Sequence, residues 1–505
     1  MNAPRIDERF RSAESLEHLR TFIERQRWFG GRAQVIEGLE IADVVPVRDA
    51  PDELSVVLAR VTFAGGGSEL YHLPLTSRPL ADAEVHEVDD PRLVLVSKPG
   101  GSAVAVYDAM ADTESVTQLW AALAADEHHR GAHGEVHFRA LGNISTDEDG
   151  VTVRPLAKEQ SNSAAVRGDR EMLKCLRRLV AGTSPEVEMT AALADAGFEA
   201  VPTPLGMAEY TPDGGESMML LILQPYFHNG TEGMALALTS LRDFFAEAEE
   251  RGATQRDELL LAAREQGATF IPESVRIGEV TGRMHLALAS DAIPAHMRGH
   301  HVGAAELTEW AALMTAELDR LLASEEPAIA PLRAQRDAIA QSFAAISTLT
   351  DGGTAIRVHG DYHLGQLLRI DSGWIVLDFE GEPVRTIDQR RSHSSPLNDV
   401  AGMLRSLDYA VALAVADRSS PDNPDWAWML DTGAAWAEAN RVALWDAYTA
   451  TVAGSGLLPP GEAATTLRHA FELRKALYEV GYELGHRPDW VGIPLRHLLG
   501  EAVAT

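Results

Sequence analysis

VHGDYHLGQLLRIDSGWIVLDFEGEP, residues 358–383, is the stretch on which the reading of this chain turns. A short apolar strand, Thr354 to Val358, runs into a His-Gly-Asp turn ending at Asp361, and Gln366 follows five residues later. Two apolar runs, Leu367 to Ile370 and Trp374 to Leu377, flank a Ser-Gly turn and end in Asp378, which is the pattern of a β-hairpin with polar groups at its open end. Phosphoryl transfer asks for this set. One carboxylate orients an attacking hydroxyl, and an amide with a second carboxylate holds a magnesium ion. Asp361 is the candidate base, on a loop braced by His359, and Gln366 and Asp378 are the candidate metal ligands. Glu380 and Glu382 are expected to form an acidic rim, within reach of a second magnesium.

The rest of the composition narrows the partners. With 505 residues and a net charge of −31, the chain has room for two or three cores but lacks the basic surface that nucleic acid or an anionic membrane requires. An anionic nucleotide would need a locally basic pocket. A single cysteine, Cys175, excludes an intramolecular disulfide and any multi-cysteine metal site. The opening MNAPRIDERFRSAES has no apolar signal core. The apolar runs Met218 to Leu223 and Tyr409 to Ala416 fall well short of the roughly 20 residues of a membrane span. A cytoplasmic location is expected.

Three regions are predicted. Residues 1–110 read as one helix, Ala13 to Gln26, followed by short strands and an Ala-Gly-Gly-Gly-Ser turn at 64–68: a β-rich cap. Residues 111–225 mix helix and strand, with strands at Val151 to Leu156, Glu171 to Leu179 and Met218 to Gln224, and a helix at Pro185 to Ala196 capped by Ser184. Residues 226–505 carry helical periodicity in six segments beyond Ile277, with 229–276 read as an insertion of helices and loop.

Other residues carry weaker signals. Lys174, inside EMLKCLRRL, is the candidate phosphate-binding lysine, although a strand lysine is more often solvated. Its expected partner is Glu188, preferred over Glu186 because it lies deeper in the helix that follows. Ser161, Asn162 and Ser163 fall where a phosphate-covering loop belongs, without a glycine-rich pattern. Gln224, with Pro225 and Tyr226, ends a buried strand at which an adenine would bond to backbone. Lys475, Glu479 and Tyr482 share a helix stripe with Tyr478 beside them, which suits a sugar and equally suits a face turned to water. HEVDD, at 86–90, and the His-rich run at 126–137 lack metal-ligand spacing and read as solvated loop.

QRWFGG at 26–31, EQSNSAAVRGDREMLKCLRRL at 159–179, PEVEM at 185–189, the 358–383 block, SPLNDVAGMLRSLDYA at 395–410 and ALYEVGYELGHRPDWVGIPL at 476–495 together resemble actinobacterial maltokinases, relatives of aminoglycoside phosphotransferases and, more distantly, of protein kinases. The resemblance runs nearly end to end. It implies an α+β, bilobal kinase-like fold with a β-rich N-terminal cap and a mostly helical C-terminal lobe. It also implies transfer of the γ-phosphoryl group of ATP, with Mg2+, to the anomeric hydroxyl of maltose for α-glucan synthesis. By motif, Asp361 would be the base, Gln366 and Asp378 the metal ligands, and Lys174 with Glu188 the ATP-positioning pair. Asp399 would brace the catalytic loop, and His363, Lys475, Tyr478, Glu479 and Tyr482 would bind the sugar. A monomer, associating with a trehalose synthase, fits the same picture. The chain departs from the pattern at HNGTEGMALAL, 228–238, where maltokinases carry an acidic-aromatic block. Some proteins that look like maltokinases phosphorylate glucosamine at its 6-hydroxyl, and an acidic pocket suits a protonated amine. A non-catalytic binding partner is the reading from another class, opposed by the presence of Lys174, Asp361, Gln366 and Asp378 together.

Overall fold

The computed structural model describes residues 6–32, 34–49, 53–80, 92–97, 103–144, 151–156, 162–266, 270–382 and 385–500. It divides into two compact units, one of residues 1–188 and 202–228, the other of 189–201 and 229–505.

The first unit is built on two antiparallel sheets. β1 (Ile36–Arg48), β2 (Glu53–Phe63), β3 (Ser68–Leu80), β4 (Leu93–Ser97) and β5 (Ala103–Asp108) pair in the order β1-β2-β3-β5-β4. β6 (His128–Arg130), β7 (Gly134–Ala140), β8 (Val153–Leu156), β9 (Asn162–Arg167), β10 (Glu171–Leu176), β12 (Gly206–Pro212) and β13 (Met218–Pro225) form the second, ordered β6-β7-β12-β13-β10-β9-β8. The two-residue β11 (Arg178–Leu179) joins β3. Alternation along β2 shows why the first sheet is covered on both faces. Val56 and Leu58 point into a core shared with Trp120, Phe138, Leu173 and Leu221. Val57, Ala59 and Val61 point the other way, into one with Leu19, Phe22, Trp28 and Tyr71. Leu19 and Phe22 come from the predicted N-terminal helix, Ala13–Arg25, which Ser12 caps through the amide of Ser15.

Sequence reading differs from this unit in two places. EMLKCLRRL is not one strand: β10 ends at Leu176, and Arg177, 1% exposed, turns inward to Asp108 at 2.6 Å. A buried guanidinium needs such a partner, so the ion pair breaks the strand and passes its end to the other sheet. The His-rich run is not a loop. It forms the β6-β7 hairpin, with His128 opposite His137 and their rings stacked at 3.6 Å, since Val136 and Phe138 supply a buried face. One ligand atom each from Asp126, His128 and His137 lies within 4.8 Å of the others. Residues 86–90, the other acidic segment, lie outside the described residues.

The second unit is mainly helical, and a single large core runs through it. Its helices include α5 (Gly233–Arg251), α6 (Arg256–Gln266), α7 (Ile271–Leu288), α8 (Ala304–Leu322), α9 (Arg336–Ile346), α11 (Leu397–Arg418), α12 (Trp426–Thr451), α13 (Glu462–His486) and α14 (Gly492–Leu498), with the four-residue α10 (Ile387–Arg390) between α9 and α11. The region read as an insertion is thus two helices, α5 and α6, whose Leu241, Phe244, Phe245 and Leu259 belong to that core. The predicted hairpin is present, with β17 (Leu367–Ile370) antiparallel to β18 (Gly373–Val376). No helix among the described residues is long and apolar enough to cross a membrane.

Candidate active site

In the first unit, β10 sets Lys174 at the middle of the second sheet, opposite Ile222 of β13 and Ala164 of β9. The side chain is 7% exposed, and its Nζ donates to Oε2 of Glu186, 3% exposed, at 2.9 Å. The carboxylate opposite the lysine is therefore that of Glu186 rather than Glu188. The helix begins at Pro185, so Glu186 lies in its first turn. Two residues further on, the helix has rotated by about 200°, and Glu188 is partly exposed. The helix face turned to the strand, and not depth along the helix, sets the partner of Lys174.

The phosphate-loop expectation changes as well. Ser161 lies outside the described residues. Asn162 and Ser163 are strand residues, opposite Leu176 and Cys175. Their side chains serve Arg177, whose Nε donates to Ser163 Oγ at 2.9 Å and whose backbone N–H donates to Asn162 Oδ1 at 3.4 Å. Gln224, 6% exposed, sits in the ladder opposite Met172. The amide of Tyr226 is already spent on the Arg170 carbonyl at 2.7 Å.

In the second unit the catalytic-loop candidate is held by one carboxylate. Asp399, in the first turn of α11 and 1% exposed, accepts from the His359 amide at 2.8 Å and from the Gly360 amide at 2.9 Å. His285 Nε2 of α7 stands 3.3 Å away, and its Nδ1 meets the Tyr448 hydroxyl at 3.0 Å. Burial pushes the Asp399 carboxyl up, but the His285 hydrogen bond, the positive potential of the two histidines and the Gly360 amide outweigh it. The group is held below the usual carboxylate range. Gly360 takes φ +85°, the left-handed turn that aims Asp361 out of the strand. Gly402 lets α11 approach the loop, since a Cβ there would stand 2.6 Å from the Tyr362 carbonyl. His359 Nε2 bonds the Leu377 carbonyl at 2.8 Å, which ties the loop to the far end of the hairpin.

At that end Gln366 Nε2 donates to Asp378 Oδ2 at 3.2 Å. The two candidate ligands are thus adjacent, and the contact is made through the amide nitrogen, which leaves the amide oxygen as the donor for a cation. Asp378 has φ +64°, a strained conformation for a non-glycine residue of the kind concentrated at functional sites. An amide oxygen beside a carboxylate is a hard, oxygen-only donor set, and it fits magnesium.

The α13 stripe divides. Lys475 Nζ is 2.8 Å from Glu382 Oε1, 3.6 Å from Asp361 Oδ1 and 4.7 Å from the centre of the Tyr478 ring. Burial acts to lower its pKa, but Glu382 and then Asp361 prevail, so it stays a cation. Glu382, 4% exposed and also bound by Arg385, is a buried counter-ion rather than part of an acidic rim. Glu479 faces inward and is taken by Arg405 through Nε at 3.0 Å and Nη2 at 2.8 Å. Both guanidinium bonds end on one oxygen, Oε2, of a buried carboxylate. Tyr478 and Tyr482 keep the half-exposed positions, with their rings 6.3 Å apart and Tyr482 stacked on His486 at 4.4 Å. His363, beside the base at 4.0 Å, uses Nδ1 to accept from the Gly365 amide. Burial lowers its pKa, which favours the neutral ring. His285 and Arg405 are not marked out in the sequence, because each stands among other polar residues of its helix and only burial in the fold sets it apart.

Residues 22–112 match the model of the maltokinase N-terminal cap domain, and residues 152–432 that of the phosphotransferase enzyme family. The chain belongs to the phosphotransferase enzyme family. Among its relatives, a glucosamine kinase of Streptacidiphilus jiangxiensis is 32% identical over 356 residues, covering 69% of this chain and 72% of the relative. One of Mycolicibacterium smegmatis is 27% identical over 430 residues, covering 82% and 97%. A crystal structure of a glucosamine kinase has the same fold, with a TM-score of 0.65 at 24% identity over 99% of this chain and 100% of the other. The maltokinase-type cap and the phosphotransferase core therefore follow one another along this member of the family.

Proposed function

We propose that this phosphotransferase moves the γ-phosphoryl group of ATP to the 6-hydroxyl of glucosamine. The observation that carries the reading is the 32% identity spread over 72% of a glucosamine kinase. Maltose, phosphorylated at the anomeric hydroxyl, is the second reading, favoured by the cap match over residues 22–112.

In this mechanism Asp361 accepts a hydrogen bond from the sugar hydroxyl and orients its oxygen for in-line attack. The new O–P bond forms as the bond from the γ-phosphorus to the β,γ-bridging oxygen breaks. The hydroxyl proton passes to Asp361 and then to water, and ADP leaves. Asp399 acts by fixing the turn that presents Asp361, and the Lys475 cation at 3.6 Å balances the charge beside it. Lys174, set by Glu186, would neutralise charge on the phosphates. Gln366 and Asp378 would hold magnesium, which supplies further charge neutralisation when bound. Phosphorus NMR of the product tests the reading, after incubation with magnesium-ATP and either glucosamine or maltose. A phosphate coupled to the C6 protons of glucosamine, absent with Asp361→Asn, is the expected result. A phosphate coupled to the anomeric proton of maltose, with glucosamine untouched, would replace the acceptor and keep the catalytic loop.

A further inference from the structure

A cavity of about 440 Å³ opens among α6, α11, α12, α13 and α14, and none of the candidate catalytic side chains lines it. Its volume is in the range of small-ligand sites. The chemistry of its wall stands out in a chain of net charge −31. Arg256, Arg405, Arg441, Arg468 and Arg496 line it. Asp408, Glu438 and Asp446 stand on the same wall, and Glu472 and Glu479 reach the arginines from beside it, so the guanidinium groups are gathered here with their counter-charges close by.

Several of these charges are already engaged. Arg405 bonds Asp408 and Glu479, Arg441 bonds Glu472, and Arg256 bonds Glu438 at 2.6 Å. Two nitrogen atoms of these side chains make no hydrogen bond. Arg468 Nε is buried without a hydrogen-bond partner, although Glu472 Oε1 stands 3.5 Å away as its counter-ion. The guanidinium is held in place by the Trp445 ring beneath it, at 4.6 Å. His497 Nε2 is also buried and unpartnered, in a ring that burial first, and Arg405 next, keep neutral. A buried polar atom without a partner costs stability, so two on the residues of one cavity wall mark a place for a polar guest. Arginines recognise oxyanions through forked N–H groups, and a neutral imidazole meets either an oxygen or a hydroxyl by choice of tautomer. Val411, Leu430 and Ile493 supply an apolar side to the same wall.

We propose that this cavity is a second binding site, for a phosphate monoester, distinct from the Asp361 loop. The anion would sit at Arg468 and His497 and draw in Arg496, with Trp445 beside its organic part. The site does not depend on which sugar the enzyme phosphorylates. Two sources share this chemistry, a sugar phosphate and a nucleotide monophosphate, and the experiment separates them.

The full chain is titrated with inorganic phosphate, with glucosamine 6-phosphate and with AMP, following tryptophan fluorescence. The same titrations are run on the double variant Arg468→Gln/Arg496→Gln and on Ala434→Phe, which fills the cavity without removing a charge. At least one probe is expected to bind the parent and to bind both variants about tenfold or more weakly, as loss of a charge-assisted contact implies. Unchanged KM values for ATP and sugar in the variants would show that the catalytic site is intact. The probe that loses affinity identifies the source of the phosphate. Equal affinities in parent and variants, or no binding of any probe up to about 10 mM, would overturn the proposal. Ala434→Phe keeps the test open should the arginine variant fail to fold.

Discussion

Replacing Asp399 by alanine removes the one acceptor shared by two backbone amides of the catalytic loop. The His359 and Gly360 N–H groups, at 2.8 and 2.9 Å, would be left in a place where Asp399 itself is 1% exposed. Each stranded donor costs about 1–3 kcal/mol. His285 also loses its partner at 3.3 Å. Release of a desolvated carboxylate offsets part of this, so the net cost is about 3–5 kcal/mol, the usual figure for breaking a buried charged contact. At about 1.4 kcal/mol per decade, that is a loss of roughly 10²- to 4 × 10³-fold in the population of the ordered loop. The expected result is a fall of that order in kcat, with KM for ATP changed much less, and an earlier urea unfolding midpoint. Asp399→Asn, which keeps one acceptor and turns an NH2 toward the other amide, should lose about half as much free energy. Acid titration gives an independent check. The folded pKa lies below the unfolded value of about 3.9, so the stabilisation is present above that value and is lost as pH falls through the folded pKa. The asparagine variant should therefore show a flatter acid limb. A kcat within twofold of the parent together with an unchanged unfolding midpoint would refute the brace.

Two further predictions follow the same logic. Glu186→Gln should raise KM for ATP by about tenfold or more, because it leaves the buried Lys174 cation short of its 2.9 Å partner, whereas Glu188→Gln should change it less than about twofold. Titration of initial rates with ATP reads this, and the reverse order would return the lysine to Glu188. Tyr478, whose pKa is pushed up to about 12 by burial and then by Glu382, should still be protonated where an ordinary tyrosine ionises. The unfolded group ionises near 10, so its contribution to stability is present below that pH and is lost as pH rises from about 10 to about 12. Absorbance at about 295 nm, compared with Tyr478→Phe, reports it, and ionisation of Tyr478 near 10 would contradict the burial argument.

Local structure is legible where the candidate residues pack into a short span. Asp361, Gln366 and Asp378 fall within eighteen residues, on a turn and hairpin whose alternation and Ser-Gly turn need no distant partner to be recognised. Lys174 stands oddly in an apolar strand, a position that by itself suits a solvated lysine, and the fold buries it against Glu186. What failed needed knowledge of a neighbour. Which glutamate faces Lys174 depends on the rotation of a helix against β10, and position along the chain does not report rotation. Asn162 and Ser163 looked like loop because they are small and polar, yet they pair in a sheet and serve Arg177.

The sequence by itself determined the turn and hairpin that carry Asp361, Gln366 and Asp378, the β-rich start, the helical remainder and the membership of a phosphotransferase family, because motif spacing and hydrophobic period are properties of contiguous residues. Only the tertiary structure decided which of those charged groups remain available for chemistry. Lys475 and Glu479 are one helical turn apart and look alike on a stripe. One is placed 3.6 Å from Asp361, while the other is spent on Arg405, 74 residues earlier in the chain. A buried charge must find a counter-charge wherever the fold supplies it, and that choice is settled by packing rather than by sequence.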